Sequence, residues 1–192
     1  NCIFYNNKIK TFMGLILIDE YFDSIKLFKS EIFRDERGYF MEVFREDELK
    51  KYGINVNFIQ ENQSLSKKNV IRGLHYQTNP PQNKLIRVVK GSAKFIEVDI
   101  RPNSKYFSEH IEIELNDENN YILWVPVGFA NGYASLSNET IVVYLVDKYY
   151  NPAGEETLLY NDPQLQIDWK IDNPILSLKD KNGKLLKNIV GA

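Results

Sequence analysis

Ile111-Glu112-Ile113-Glu114-Leu115 alternates apolar and acidic residues, the signature of a strand with one buried and one wet face. The same period runs upstream through Lys94 to Ile100. There Ile96, Val98 and Ile100 share one face, and Glu97 and Asp99 share the other. Downstream, Tyr121 to Val125 and Ile141 to Val146 are continuous apolar runs, expected of strands covered on both sides. Gly91, Pro126, Gly128, Gly132 and Pro152 read as turn markers. One helix is expected at Arg45 to Tyr52, acidic early and basic late, with Gly53 as its left-handed stop. Short strands closely spaced, with no crossover helices between most of them, argue against a doubly wound α/β fold. They point to an all-β antiparallel sandwich or barrel, and a jelly roll with few short helices is the expected architecture.

The chain has 192 residues, enough for one domain with a real core. A single domain is expected over 15–192, with residues 1–14 a leader or appended extension and Met13 a candidate start. The 12 Tyr and 11 Phe favour strands and ring-lined pockets over a helical bundle. A net charge of -2 argues against a generally basic nucleic-acid binder. Cys2 is the only cysteine, so no intrachain disulfide framework or multi-cysteine metal site can form, and a reducing cytoplasm is the expected location. The apolar stretch Met13 to Ile18 is too short to span a bilayer, and no membrane partner is expected. With only two histidines, His75 and His110, a three-histidine metal site is excluded.

The densest polar segment is Ile71-Arg72-Gly73-Leu74-His75-Tyr76-Gln77, which continues to Lys84 and Arg87. As a regular strand it would put Ile71, Gly73, His75 and Gln77 on one face, and Arg72, Leu74 and Tyr76 on the other. A bend near a strand end would bring Arg72 and His75 to one cavity. Phe33 to Glu42 reads as a charged turn leading into a strand. Gln60 and Asn62 share a strand face, and amides inside a barrel need partners that a ligand can supply. Tyr144, in an apolar run, reads by itself as core, and Leu176 to Asp180 as a helix cap or tail turn.

Taken in order, these segments resemble the dTDP-4-dehydrorhamnose 3,5-epimerase family of the cupin superfamily. The matching pieces are FRDERGYFMEVF (33–44), FIQENQS (58–64), VIRGLHYQ (70–77), KLIRVVKG (84–91), VDIRPNS (98–104), WVPVGFANGY (124–133), DKYYNP (147–152), NDPQLQIDW (161–169) and LSLKD (176–180). They cover roughly residues 15 to 185. The resemblance implies a jelly-roll homodimer whose N-terminal residues are shared across the interface. It also implies cofactor-independent, metal-free epimerisation of a nucleotide-diphosphate-linked 4-keto-6-deoxy sugar at C3 and/or C5. Metal-binding cupins carry His-x-His, whereas the position two after His75 is Gln77.

The resemblance assigns roles. His75 matches the base, and histidine is suited to take a proton near neutral pH. Asp180 matches its carboxylate partner, Tyr144 the acid on the other face, and Lys84 the cation at the developing oxyanion. Arg72 would meet the diphosphate. Gln60 and Asn62 match nucleotide or diphosphate contacts, and Tyr150 would stack on the base. Arg37, Phe40 and Glu42 match residues near the nucleotide, reaching the partner subunit's site. Glu155 and Lys179 complete the substrate-binding set.

Two positions depart from the family pattern. Asn131 stands where histidine is usual, and Leu145 follows the catalytic tyrosine where lysine is usual. Asparagine hydrogen-bonds but does not titrate near neutral pH. The departures leave open a different sugar, such as a GDP-linked 4-keto-6-deoxy-heptose, epimerisation at a single carbon, or a non-catalytic sugar-nucleotide-binding jelly roll. A keto-shifting isomerase would differ in the carbonyl position of its product, and a metal-dependent oxygenase in its metal content.

Overall fold

The structure is a computed structural model that describes residues 14–189. Of the expected leader, residues 1–13 lie outside the described residues. The strands are β1 (Leu15–Tyr21), β2 (Ile25–Ser30), β3 (Ile32–Asp35), β4 (Gly38–Met41), β5 (Gln60–Lys67), β6 (Ile71–Gln77), β7 (Lys84–Lys90), β8 (Ser92–Asp99), β9 (His110–Asn116), β10 (Tyr121–Val125), β11 (Phe129–Ser135), β12 (Glu139–Val146) and β13 (Glu155–Thr157). Two short helices, α1 (Glu46–Lys51) and α2 (Leu178–Lys181), and a 3-10 turn at Leu186–Asn188 complete them.

Two antiparallel sheets face each other. One has six strands in the order β1-β2-β10-β7-β12-β5, the other five in the order β13-β6-β11-β8-β9, and β3 and β4 form a separate hairpin. This is the jelly roll expected of the sequence. Between the sheets lies a core that includes Leu27, Ile86 and Val142 from one side and Phe95, Ile113 and Tyr133 from the other. A second cluster covers the outer face of the five-stranded sheet, where Ile96, Val98 and Ile100 meet Leu158, Leu165, Trp169 and Leu186 from the C-terminal segment. A third, with Leu49, Ile54, Leu85 and Trp124, covers the outer face of the six-stranded sheet.

The expected helix forms as α1, framed by Arg45 and Tyr52. Gly53, at φ +79°, gives its N–H to the Lys50 carbonyl at 3.1 Å, and Ile54 gives its N–H to that of Leu49 at 3.1 Å. These two bonds make a Schellman stop, and the Leu49–Ile54 pair buries its apolar contact.

The alternation of β8 holds, but both of its faces are covered. Ile96 and Val98 pack outward under the C-terminal segment. Glu97 and Asp99 turn into the sandwich, and neither is exposed. The register agrees, pairing Ala93, Phe95 and Glu97 with Leu115, Ile113 and Ile111 of the inner face.

Candidate active site

Strand β6 is irregular where the site forms. Its pairing with β11 runs Asn131↔His75, then Tyr133↔Arg72, so three steps on β6 match two on β11. The extra residue is a bulge, and it inverts the faces beyond it. Ile71, Leu74 and Tyr76 therefore join the outer cluster, while Arg72, His75 and Gln77 line the interior cavity. This corrects the grouping expected of a regular strand, and the expected meeting of Arg72 and His75 at one cavity comes about through the bulge. Gly132 is corrected too: it lies inside β11, not in a turn. A Cβ on Gly73 would come within 2.5 Å of the Gly132 Cα, and one on Gly132 within 2.9 Å of the Arg72 carbonyl oxygen. The two glycines let the bulged backbones approach.

The cavity opens between the two sheets and holds about 370 Å³. The five-stranded sheet contributes Arg72 and His75 from β6, Asn131 from β11 and Glu155 from β13. The six-stranded sheet contributes Gln60 and Asn62 from β5, Lys84 from β7 and Tyr144 from β12. Eight expected residues thus meet at one cavity, with Tyr150 as a ninth at its rim. Amphipathic alternation explains why. Each strand sends its inner residues to the core, and at this end of the sandwich those residues are polar.

His75 Nε2 meets Asp180 Oδ1 at 2.6 Å. Asp180 is buried, and Ser177 caps α2 while donating its hydroxyl to Asp180 Oδ2 at 2.8 Å. Burial pushes the Asp180 carboxyl up, but the His75 hydrogen bond and charge, with Ser177 and the Gly73 N–H, outweigh it. The group ends below the usual carboxylate range. One imidazole nitrogen is tied to an ionised acid, which leaves the other to take a proton.

Burial raises the Tyr144 hydroxyl, and the Glu155 charge raises it further, so it stays protonated at neutral pH. Lys84 is pushed down by burial, a shift that the charges of Glu97 and Glu155 oppose. Its Nζ donates to the His75 carbonyl at 3.4 Å and to Asn131 Oδ1 at 3.5 Å.

Arg72 is braced across the sheets, donating from Nε to Ser66 Oγ at 2.9 Å and from Nη2 to the Leu65 carbonyl at 3.3 Å. Ser66 in turn meets the Tyr133 hydroxyl at 2.8 Å. Gln60 Nε2 donates to Asn62 Oδ1 at 2.8 Å and Gln60 Oε1 accepts the Tyr150 N–H at 3.1 Å. The Tyr150 hydroxyl donates to Glu155 Oε2 at 2.7 Å, and the same carboxylate pairs with Lys179. Lys179 acts on the cavity wall through Glu155 and does not itself line it.

Arg37, Phe40 and Glu42 are not brought to this cavity. Arg37 and Phe40 belong to the β3–β4 hairpin region, where Phe40 is 61% exposed and Arg37 pairs with Asp35 at 2.5 Å. Glu42 pairs with Arg45 at 3.3 Å. His110 is away from the site, on β9. Among the described residues no group of three His, Cys, Asp or Glu side chains could hold a metal ion.

Sequence reasoning missed Glu97, Tyr133 and Gln77 as parts of the site's frame. Gln77 anchors the loop before β13, accepting the Asn151 N–H at 2.8 Å and donating to the Pro80 carbonyl at 2.8 Å. Glu97 carried a signal, an acid in a strand otherwise apolar at both ends. Its inward direction depends on the C-terminal segment covering the other face.

The chain matches the dTDP-4-dehydrorhamnose 3,5-epimerase family over residues 20–188. The chain belongs to that family. Its members are sugar-nucleotide epimerases, a class of isomerase, and this chain is one of them. The family's dTDP-4-dehydrorhamnose 3,5-epimerase from Neisseria gonorrhoeae is 44% identical over 169 residues, 88% of this chain; the chain spans 52% of that relative's length. The one from Methanothermobacter thermautotrophicus is 40% identical over 86% of this chain and 91% of its own length. A crystal structure of dTDP-6-deoxy-D-glucose-3,5-epimerase from Legionella pneumophila, in complex with dTDP-4-keto-L-rhamnose, is 38% identical. It superposes with a TM-score of 0.89 over 92% of this chain and 95% of that one.

Proposed function

We propose that this cavity epimerises a dTDP-linked 4-keto-6-deoxy sugar at C3 and C5 by proton abstraction and return, with no cofactor. One observation carries the reading. His75 lines the cavity from the five-stranded sheet and Tyr144 lines it from the six-stranded sheet, so a sugar between them has a base on one face and an acid on the other. The C4 ketone acidifies the neighbouring C–H bonds. His75 takes the proton, the electron pair moves to the C4 oxygen, and Lys84 stabilises the enolate. Asp180 stabilises the imidazolium and fixes the ring. Tyr144 returns a proton to the same carbon from the opposite face. Exchange with solvent then resets both groups, so the reaction balances without an oxidant. Arg72, Gln60 and Asn62 suit the diphosphate and nucleoside, and Tyr150 the base. The dTDP sugar bound by the Legionella relative supports the thymidine series.

The test is proton NMR in D₂O with dTDP- and GDP-linked 4-keto-6-deoxy sugars. Deuterium entering C3 and C5 of the dTDP sugar, lost in His75→Ala, is the expected result. No exchange with any 4-keto sugar nucleotide would sink the reading. Asn131 favours a second reading, in which one carbon alone exchanges.

We also infer a homodimer in the cytoplasm, serving surface polysaccharide synthesis. The β3–β4 hairpin supports the dimer: Tyr39 and Phe40 are exposed and Arg37 faces solvent, away from their own cavity. Each hairpin would reach the partner's nucleotide. Light scattering gives the mass, and Phe40→Ala should raise KM for the nucleotide sugar while leaving kcat nearly unchanged. Among the described residues no helix is long and apolar enough to cross a membrane.

A further inference from the structure

Three residues stand in a row across the inner face of the five-stranded sheet. Asn131 pairs in register with His75 on one side and with Glu97 on the other. Glu97 is fully buried, yet Oε2 has no hydrogen-bond partner among the described residues. Oε1 has one, accepting from Asn131 Nδ2 at 2.5 Å. A buried carboxyl left half satisfied is costly, and native structures keep few of them.

The contact fixes the amide of Asn131. With one N–H of Nδ2 given to Glu97, the amide plane is set and the acceptor Oδ1 faces Lys84 Nζ at 3.5 Å. Lys84 has three N–H bonds. One goes to the His75 carbonyl and one to Asn131 Oδ1. The third is left for the cavity, where the enolate oxygen forms.

We propose that Glu97 is a positioning residue for the epimerisation: it acts through Asn131 to aim the free N–H of Lys84 at the enolate oxygen. The inference rests on the reading of Lys84 as the cation at that oxygen. The Glu97–Asn131 pair supplies this orientation by hydrogen bonding alone. Burial raises the Glu97 carboxyl, opposed by the Asn131 hydrogen bond and the Lys84 charge. Its role is directional: carboxyl or amide, an acceptor at this place suffices.

The test compares Glu97→Leu, Glu97→Gln, Asn131→Ala and the Glu97→Gln/Asn131→Ala pair for kcat and KM, each checked for a cooperative thermal melt. Misaiming the ammonium in Glu97→Leu is expected to lower kcat about tenfold to a hundredfold. KM stays within about twofold, because the lost interaction belongs to the transition state. Glu97→Gln, which keeps an acceptor for Asn131, recovers most of that loss. Asn131→Ala falls as far as Glu97→Leu, and Glu97→Gln costs nothing further on that background. A well-folded Glu97→Leu with wild-type kcat, or a Glu97→Gln as slow as Glu97→Leu, overturns the proposal. If Glu97→Leu does not fold, Asn131→Ala decides: wild-type kcat there overturns it equally.

A second readout needs no substrate. In the wild type the Asn131 side-chain NH₂ resonance should be shifted and slow to exchange, and both features should vanish in Glu97→Leu. An amide signal unchanged in that variant also overturns the proposal. Failure of the wild type to exchange any substrate proton, beside an amide signal that responds as expected, would instead strike the epimerase reading and with it the role in turnover.

Discussion

Glu97 and Asp99 sit two residues apart on β8, point to the same face and are equally buried, yet they are opposites. Asp99 is saturated. Its Oδ1 accepts from the Arg101 N–H at 2.9 Å and Nε at 3.0 Å, and its Oδ2 from Arg101 Nη2 at 2.5 Å and Ser104 Oγ at 2.7 Å. Arg101 carries the network on to Ser24 Oγ at 2.8 Å, tying the loop after β8 to the β1–β2 turn. Burial pushes Asp99 up, but those bonds outweigh it and the group ends low. Glu97 has one bond and one idle oxygen, and burial wins. A buried carboxylate with every lone pair answered holds the fold, while one left partly unanswered is a place where the fold yields stability to function.

The contrast can be broken in several ways. The largest effect is expected at the cavity end. Tyr144→Phe should cut epimerisation of the sugar by about 10²–10⁴-fold while moving the melting temperature little, because only the proton donor on the opposite face is lost. Retained turnover would remove Tyr144 from the acid role. At the structural end the pattern reverses. Asp99→Ala leaves Arg101 without its main partner and should cost about 3 kcal/mol of stability by chemical denaturation, with kcat of the folded fraction preserved. A stable Asp99→Ala variant would show the network to be dispensable.

The smallest effect is in pH, and the two acids should have opposite signs. Glu97 binds its proton more tightly in the folded state, so folding loses stability as pH rises from its ordinary 4.5 to about 8. Glu97→Gln should flatten that slope, so that its melting temperature no longer falls over this pH interval. Asp99 binds its proton less tightly when folded. Its contribution is present above its ordinary 3.8 and fades as pH falls through the lower folded value. Asp99→Asn should therefore flatten the acid limb alone. Thermal melts across pH 3 to 9 would read both; equal slopes in the neutral range for wild type and Glu97→Gln would erase the distinction.

Much of the fold was legible in the chain, because strand periodicity and turn chemistry are local. The alternation of Ile111 to Leu115, the apolar run at Ile141 to Val146 and the Gly53 stop after α1 each appear as read. The His75–Asp180 pair was legible only through family resemblance. The two residues are 105 positions apart, and no local pattern joins them.

A bend joining Arg72 and His75 was anticipated, but its place, a bulge at Gly73, was not legible. A two-residue period carries no mark of an inserted residue, and only the pairing with β11 shows which side chains exchange faces. Nor was the direction of Glu97, since an apolar–acidic alternation says that two faces differ but not which one water reaches. That was settled when Trp169, Leu165 and Leu186 covered the far side of the sheet. The sequence by itself determined the strands, the turns and the residue types available for proton transfer. The tertiary structure alone decided which of them face one another across the cavity, because facing depends on register and on coverage, and both are set by segments distant in the chain.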